Sequence, residues 1–189
     1  SFAQKLYKAV EKGNIEKVKL LIQKGEDVNE YNSNGLFPLW RAVSDGNYEI
    51  CKLLIENGAN VMQKSKVHPG YTTAMVSVCQ NGNLEIVKLL VSNGFDIETR
   101  EFLGFTALRI AARNGQTNIV KYLVEQGAEI DTKADDKCTP MEHAAGRGHI
   151  EIVKFLIEEG ANVNNKDRDG DFALSLSVAK GYVDIVRFL

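Results

Sequence analysis

The feature that most constrains this chain is a repeat of about 33 residues. The sequence contains six similar segments: IEKVKLLIQKG, YEICKLLIENG, LEIVKLLVSNG, NIVKYLVEQG, EIVKFLIEEG and VDIVRFL. A glycine precedes each of them: Gly13, Gly46, Gly82, Gly115, Gly148 and Gly181. The intervals between these glycines are 33, 36, 33, 33 and 33 residues. A fixed period of this size predicts a stack of similar supersecondary units, each packed on its neighbours.

Each unit has the pattern of two short helices separated by a turn. In the fourth unit Leu108, Ala111 and Ala112 share one face at helical spacing, and Ile119 and Leu123 share a face of the second helix. The first helix is far shorter than the ~12–15 residues that an isolated helix needs for marginal stability. Each unit must therefore bury its apolar faces against its neighbours, which predicts an all-α stack of six helix–turn–helix units.

Composition narrows the functional classes. The 189 residues include 23 basic and 25 acidic side chains, and this near balance argues against a nucleic-acid partner. No apolar run reaches the ~18 residues of a membrane span, so direct membrane insertion is not expected. The cysteines Cys51, Cys79 and Cys138 are too far apart for a disulfide framework or a zinc motif. An intracellular, cytoplasmic location is therefore expected.

Two units carry the most specific motifs. Residues 104–108 read GFTAL and are followed by Ala111-Ala112, while residues 139–141 read TPM. Residues 160–164 read GANVN at the end of an outer helix. These motifs resemble the ankyrin repeat, whose unit is a β-hairpin finger, an inner helix with G-x-T-P-L-H-x-A-A, and an outer helix closing on G-A-x-V-N. The resemblance implies an ankyrin-repeat solenoid with β-hairpin-like fingers and a role in binding other proteins.

The resemblance extends over essentially the whole chain, which is interpreted as one domain, 1–189. The expected repeats are 1–31, 32–64, 65–100, 101–133, 134–166 and an incomplete 167–189. The histidine of the family's T-P-L-H motif is replaced in every unit: Tyr7, Trp40, Val76, Arg109, Glu142 and Ser175. This scatter indicates a natural, divergent sequence, interpreted as a fragment of a longer chain. It also predicts that the family's Thr–His hydrogen bond is missing.

Fingers and inner helices line one concave surface in this family, and that surface is where a partner is expected. Large apolar groups at exposed positions mark interaction patches, and aromatic and arginine side chains dominate interface energetics. The candidate partner-binding residues are Leu36, Trp40, Arg41, Tyr71, Phe102, Leu103, Phe105, Arg109, Ile110 and Arg113. The arginines suit carboxylates of a partner. Alternatively, the phenylalanines pack finger against finger, and packing is the favoured interpretation for Trp40.

Three other features have two interpretations each. The three-residue insertion near residues 64–70 is either a functional loop or a neutral change of length. The aspartates of the last two fingers form either a site for a basic segment or a solvated rim: Asp135, Asp136, Asp167, Asp169 and Asp171. The last three imitate a calcium loop, but its glycine and glutamate are replaced by Phe172 and Val178. Cys138 is expected to be a plain thiol exposed at a finger tip.

The sequence thus predicts a protein–protein interaction module that binds a specific partner protein or peptide. The alternative is a structural or regulatory segment that packs within a larger enzymatic or membrane protein. No catalytic constellation, phosphate loop or metal-ligand pattern occurs, so neither enzymatic activity, a cofactor nor a small-molecule substrate is expected. A monomer is expected.

Overall fold

The computed structural model describes residues 3–67 and 72–189. These residues form twelve α-helices and one turn of 3-10 helix, Phe102–Gly104, and they contain no β-strand. The all-α class is therefore confirmed. None of the helices in the described ranges is both long enough and apolar enough to cross a membrane. The chain divides into two compact units, Ser1–Asp96 and Ile97–Leu189.

Each unit contains three helix pairs, and the first helix of each pair is called inner and the second outer. The inner helices of the first unit are α1 (Ala3–Glu11), α3 (Pro38–Ser44) and α5 (Ala74–Asn81). Its outer helices are α2 (Ile15–Gln23), α4 (Tyr48–Glu56) and α6 (Leu84–Ser92). Within this unit inner helices pack on inner helices and outer helices on outer helices.

The second unit repeats the arrangement. Its inner helices are α7 (Ala107–Arg113), α9 (Pro140–Arg147) and α11 (Ala173–Lys180). Its outer helices are α8 (Thr117–Glu125), α10 (Ile150–Glu158) and α12 (Val183–Phe188). Here α9 packs between α7 and α11, and α10 packs between α8 and α12. The six predicted helix–turn–helix units are present, three in each compact unit.

Side-chain caps explain where many of these short helices begin. The side chain of Asn14 accepts a hydrogen bond from the backbone N–H of Lys17, and Asn47 and Asn83 do the same for α4 and α6. Thr106 caps α7 in the same way. Each cap of this kind contributes about 1 kcal/mol, which matters for helices of only two turns.

The core of each unit lies between successive helix pairs. One inner-helix position of the 33-residue period is 0 to 1% exposed in five repeats: Leu6, Leu39, Met75, Leu108 and Met141. One outer-helix position is equally buried in the last five repeats: Ile50, Ile86, Ile119, Ile152 and Ile185. These residues fill the space between neighbours, as the period predicts.

The fingers are hairpin-like turns. In the finger of repeat four the N–H of Glu101 donates to the carbonyl of Phe105 at 2.9 Å. The backbone of Asp135 in the next finger donates to the carbonyl of Leu103 at 3.1 Å, so neighbouring fingers are joined. Gly104 has φ 73°, a left-handed conformation that favours glycine, and a Cβ added there would lie 2.9 Å from a side-chain oxygen of Asp135.

The finger of repeat five lacks that glycine. Gly35, Gly104 and Gly170 have φ values of 75°, 73° and 84°, whereas the equivalent Lys137 has φ 62°. A side chain in this left-handed region costs about 1–2 kcal/mol, because its Cβ crowds the following carbonyl oxygen. Lys137 is exposed, so its side chain supplies no compensating burial.

We therefore expect Lys137→Gly to raise the stability of the chain by about 0.5–1 kcal/mol, the relief of strain less the added flexibility of the unfolded chain. Thermal unfolding followed by circular dichroism measures the change. Lys133→Gly is the matched control, since Lys133 is exposed in the same segment without a positive φ. This control should be destabilising, and a loss of stability in both variants would contradict the strain assigned to Lys137.

Candidate functional site

A cavity of about 400 Å³ opens between the fingers and the inner helices of the second unit. The fingers contribute Leu103, Phe105 and Asp136 to its wall, and the inner helices contribute Arg109 and His143, among others. The cavity therefore brings together large apolar side chains and several titratable groups. It is the candidate site in this unit.

Arg109 occupies the base of this cavity and is 1% exposed. Its guanidinium carbon lies 3.3 Å from the centre of the Phe105 ring, a cation–π contact. Its Nη2 donates to the carboxylate of Asp136, which also accepts from the backbone N–H of Cys138 at 3.0 Å. Nε and Nη1 of Arg109 are buried, with no hydrogen-bond partner among the described residues.

Burial changes the proton affinities of this cluster. It lowers the pKa of Arg109 to about 10, although Asp136 opposes the change. Burial by itself would raise the pKa of Asp136, but the N–H of Cys138, the charge of Arg109 and the contact with His143 lower it overall. Arg109 and Asp136 therefore form an ion pair at neutral pH.

His143 completes the cluster. Its Nε2 contacts Nη2 of Arg109 and lies 3.1 Å from Oδ2 of Asp136, so the tautomer decides whether Nε2 accepts or donates a hydrogen bond. Burial and the nearby charge of Arg109 lower the pKa of His143 to about 4. The imidazole is therefore neutral at physiological pH.

Asp136, Cys138 and His143 offer three metal-ligand atoms that lie within 4.8 Å of one another. The chemistry of the set does not fit a metal ion. Arg109 contacts both Asp136 and His143 and already supplies the positive charge between them. Burial also raises the pKa of the Cys138 thiol to about 12, away from the thiolate that a metal requires. The guanidinium of Arg109 thus takes the place of a metal cation in this cluster.

Glu142 occupies the family's histidine position in repeat five and replaces its hydrogen bond. One carboxylate oxygen, Oε2, accepts from the backbone N–H of Thr139 at 2.8 Å and from its hydroxyl at 3.2 Å. The same oxygen accepts from Asn165 at 2.6 Å. The family's Thr–His hydrogen bond is therefore absent from repeat five, as predicted, but the Glu142 carboxylate makes an equivalent contact with Thr139.

Two candidate partner-binding residues, Arg109 and Ile110, and the thiol of Cys138 are buried, contrary to expectation. Arg109 and Ile110 were predicted on the partner-facing surface, yet all six residues of Ala107–Ala112 are buried. Ile110 is 4% exposed, because α7 is enclosed on most sides. Arg109 is covered by Phe105 and paired with Asp136. Cys138, expected to be exposed, is 8% exposed.

The finger of repeat four does expose apolar side chains. Phe102 and Leu103 are each 45% exposed. Leu103 also has φ 61° and ψ 20°, a left-handed conformation that a leucine rarely adopts. Phe105, by contrast, is half-buried against Arg109 and 6.4 Å from the His143 ring. The two phenylalanines therefore differ. Phe105 packs within the unit, whereas Phe102 is exposed.

The candidate partner-binding residues described in the first unit are either half-buried or paired with other side chains. Leu36 and Trp40 are half-buried. Arg41 bonds to Asp45 at 2.8 Å and lies 3.5 Å from Glu11, so its charge is already paired. Tyr71 lies outside the described residues, as do residues 68–70 of the inserted segment. A partner-binding role for Leu36, Trp40 and Arg41 stays a prediction.

Asp167, an acidic residue that lines the cavity, bonds within its own finger. One oxygen of Asp167 accepts from the backbone N–H groups of Asp169 and Asp171 at 2.9 and 2.8 Å, so the calcium-like spacing forms a turn. The basic side chains at the end of the inner helices differ. Arg113, Arg147 and Lys180 make no ion pair with any described residue. Of these three, Arg113 was predicted from the sequence to bind a partner, whereas Arg147 and Lys180 were not.

The low pKa of His143 predicts a specific loss of stability in acid. In the unfolded chain its pKa returns toward 6.5, so between pH 6.5 and about 4 the unfolded state binds the extra proton. Stability should fall as pH drops through this window, by about 1–2 kcal/mol between pH 7 and pH 5. Chemical denaturation at the two pH values measures this fall.

The matched variant is His143→Gln, which keeps a polar side chain that does not titrate. The difference in stability between pH 7 and pH 5 should be smaller in this variant than in the original chain. Equal pH dependence in the two proteins would show that His143 is not buried in its neutral form.

Comparison with known protein families gives a match. A family profile described as Ankyrin repeats (3 copies) matches residues 4–65, 63–134 and 130–189. Comparison with curated proteins gives no match. Ankyrin repeats are generally protein–protein interaction modules and are typically non-catalytic. Because the matched segments extend over nearly the whole chain, this protein belongs to the ankyrin-repeat family.

Proposed function

We propose that this chain is an interaction module that binds one specific partner protein through its finger and inner-helix surface. In the second unit the contact residues would be Phe102, Leu103 and Arg113, with Phe105 forming the wall of the cavity. Arg109 and Ile110 would act from below the surface, Arg109 by holding Phe105 and Asp136. We also propose that the protein is a cytoplasmic monomer without catalytic activity or cofactor.

The observation that carries this proposal is the finger of repeat four. Phe102 and Leu103 expose apolar surface to solvent, and Leu103 does so in a left-handed conformation. Exposed apolar groups and local backbone strain both lower stability unless another interaction compensates for them. A partner that buries both side chains supplies that compensation.

The test replaces the two side chains without disturbing the stack. We expect the double variant Phe102→Ser, Leu103→Asn to lose partner binding by at least about tenfold, since two buried apolar anchors together contribute 1.4 kcal/mol or more. Asparagine tolerates the left-handed region, so the melting temperature should stay the same or rise. Binding is measured by immobilising the chain or its variant and incubating it with native lysate. The amount of partner retained is then expressed relative to the amount of immobilised chain.

Leu20→Asn is the control, because Leu20 is 48% exposed on the outer helix α2, nearly the same fraction as Leu103. It should leave capture unchanged. Retention of the same partner by the double variant and the control in equal amount would refute the proposed surface.

A second candidate function, packing within a larger protein, is favoured by a different face. Leu174 and Val178 of α11 are 44% and 58% exposed, while Met141 and Ala145 at the equivalent positions of α9 are fully buried. If residues 1–189 belong to a larger protein, hydrogen exchange of that protein separates the candidates. Stronger protection of α11 in the larger protein than in residues 1–189 alone supports packing in cis. Stronger protection of the repeat-four finger, with no partner added, indicates that this finger also packs within the larger protein.

A further inference from the structure

The proposed binding surface in the second unit combines a cavity with a row of unpaired cations. Arg147 and Lys180 occupy equivalent positions at the ends of α9 and α11, and Arg113 ends α7. Arg147 and Lys180 are exposed and Arg113 is half-buried. None of the three forms an ion pair with a described residue. The row runs across the three inner helices of the unit.

The acidic groups of the same cavity do not cancel this row. Asp136 is paired with Arg109, Asp167 accepts two backbone N–H groups, and one oxygen of Glu142 accepts three hydrogen bonds. The other oxygen of Glu142 is buried without a partner, and burial raises the pKa of this carboxyl, which favours its uncharged form. Among the side chains that line the cavity, Asp167 keeps an unpaired negative charge, but two unpaired cations, Arg113 and Arg147, line it as well. Lys180 adds a third cation at the end of α11.

A buried group also favours an acceptor in the ligand. Arg109 lines the cavity, is 1% exposed, and keeps Nε and Nη1 without a hydrogen-bond partner. Each unsatisfied buried donor costs about 1–3 kcal/mol until an acceptor reaches it. The apolar wall is formed by Leu103, Phe105 and Leu176. A suitable ligand therefore presents both carboxylates and an apolar side chain.

The spacing of the row fits an extended chain. Neighbouring packed helices lie ~8–10 Å apart, and a peptide in the extended polyproline II conformation advances ~3.1 Å per residue, with three residues per turn. Successive inner helices are therefore about three peptide residues apart. A peptide lying across α7, α9 and α11 would place an acidic residue beside each cation when its acidic residues recur at every third position.

We propose that the partner segment is an acidic peptide in the extended polyproline II conformation, with an apolar side chain in the cavity and carboxylates on Arg113, Arg147 and Lys180. This rests on the proposed function and specifies the chemistry of its partner. The chain as a whole has a slight acidic excess, 25 acidic against 23 basic residues, so the row is a local feature. A nucleic acid would require a broad basic surface in its place.

The experiment selects from a displayed library of random 12-residue peptides on the immobilised 189-residue chain. We expect the selected peptides to be enriched in Asp and Glu at intervals of three residues and to share one large apolar residue. Synthetic versions, labelled with fluorescein, should bind the chain and lose affinity several-fold between 50 and 300 mM salt, because exposed ion pairs are screened. Fluorescence anisotropy gives the dissociation constants.

Charge reversal then locates the binding surface. The double variant Arg113→Glu, Arg147→Glu should bind the selected peptides at least about tenfold more weakly. Lys121→Glu, Lys133→Glu is the matched control, with the same change in net charge at exposed lysines elsewhere in the unit. The control should retain affinity within about twofold. Both variants should stay folded at the assay temperature, although the arginine variant should melt somewhat lower because it places acidic groups at two helix C-termini.

Several results would overturn the inference. These are selection of neutral or basic peptides, no selection at all, equal loss in both double variants, or oligouridine RNA binding more tightly than any selected peptide. The proposed function is judged separately. If neutral peptides are selected and lose binding in Phe102→Ser, Leu103→Asn, the interaction surface stands and only the acidic chemistry fails. If acidic peptides bind but that variant does not affect them or partner capture, the finger assignment fails.

Discussion

Each helix pair in this chain can bury its apolar faces only against an adjacent pair, and the rest of each unit depends on this constraint. One inner-helix position of the 33-residue period shows this constraint in the second unit. Leu108 and Met141 each have a following pair and are at most 1% exposed, whereas Leu174 has none among the described residues and is 44% exposed. Whether an apolar residue at this position is buried therefore depends on the adjacent helix pair. The stability of a pair thus comes mainly from its interfaces with other pairs.

Because stacking depends on a few periodic positions, other positions are free to carry different chemistry. The family's histidine position shows this freedom in two adjacent repeats. Arg109 is buried beneath Phe105 and paired with Asp136, while Glu142 accepts hydrogen bonds from Thr139. Replacing a buried ion pair by apolar residues is often neutral or stabilising, so stability alone does not account for Arg109. Its contacts instead hold the side chains that line the cavity.

The period alone was sufficient to predict the fold class, the six helix pairs and the buried apolar positions. It was not sufficient for Arg109 and Ile110. An arginine at a given position is buried only when a carboxylate such as Asp136 and a ring such as Phe105 come within reach, which depends on how the neighbouring finger closes. Ile110 and His143 occupy equivalent positions, yet one is buried and the other half-buried. Such differences arise from packing between neighbours and leave no trace in local sequence.

The single-domain interpretation of residues 1–189 and the partner-binding role of the first unit remain predictions from the sequence. The candidate site in the second unit was partly predictable. Phe102 and Leu103 were identified as apolar groups at a finger tip, and both are exposed. The conformation of Leu103 was not predictable, because the equivalent residues Asp136 and Asp169 do not have positive φ values.

The two halves of the proposed surface do not have equal weight. Cations at the C-terminal ends of helices interact favourably with the helix dipole, so Arg113, Arg147 and Lys180 have a structural explanation of their own. The repeat-four finger differs. The carbonyl of Leu103 joins the next finger, but the exposed apolar side chain and the strain of its left-handed backbone do not stabilise the stack. A glycine or asparagine would remove the strain at that position. The finger is therefore the reason to infer a partner, and the cations then specify what kind of partner it is.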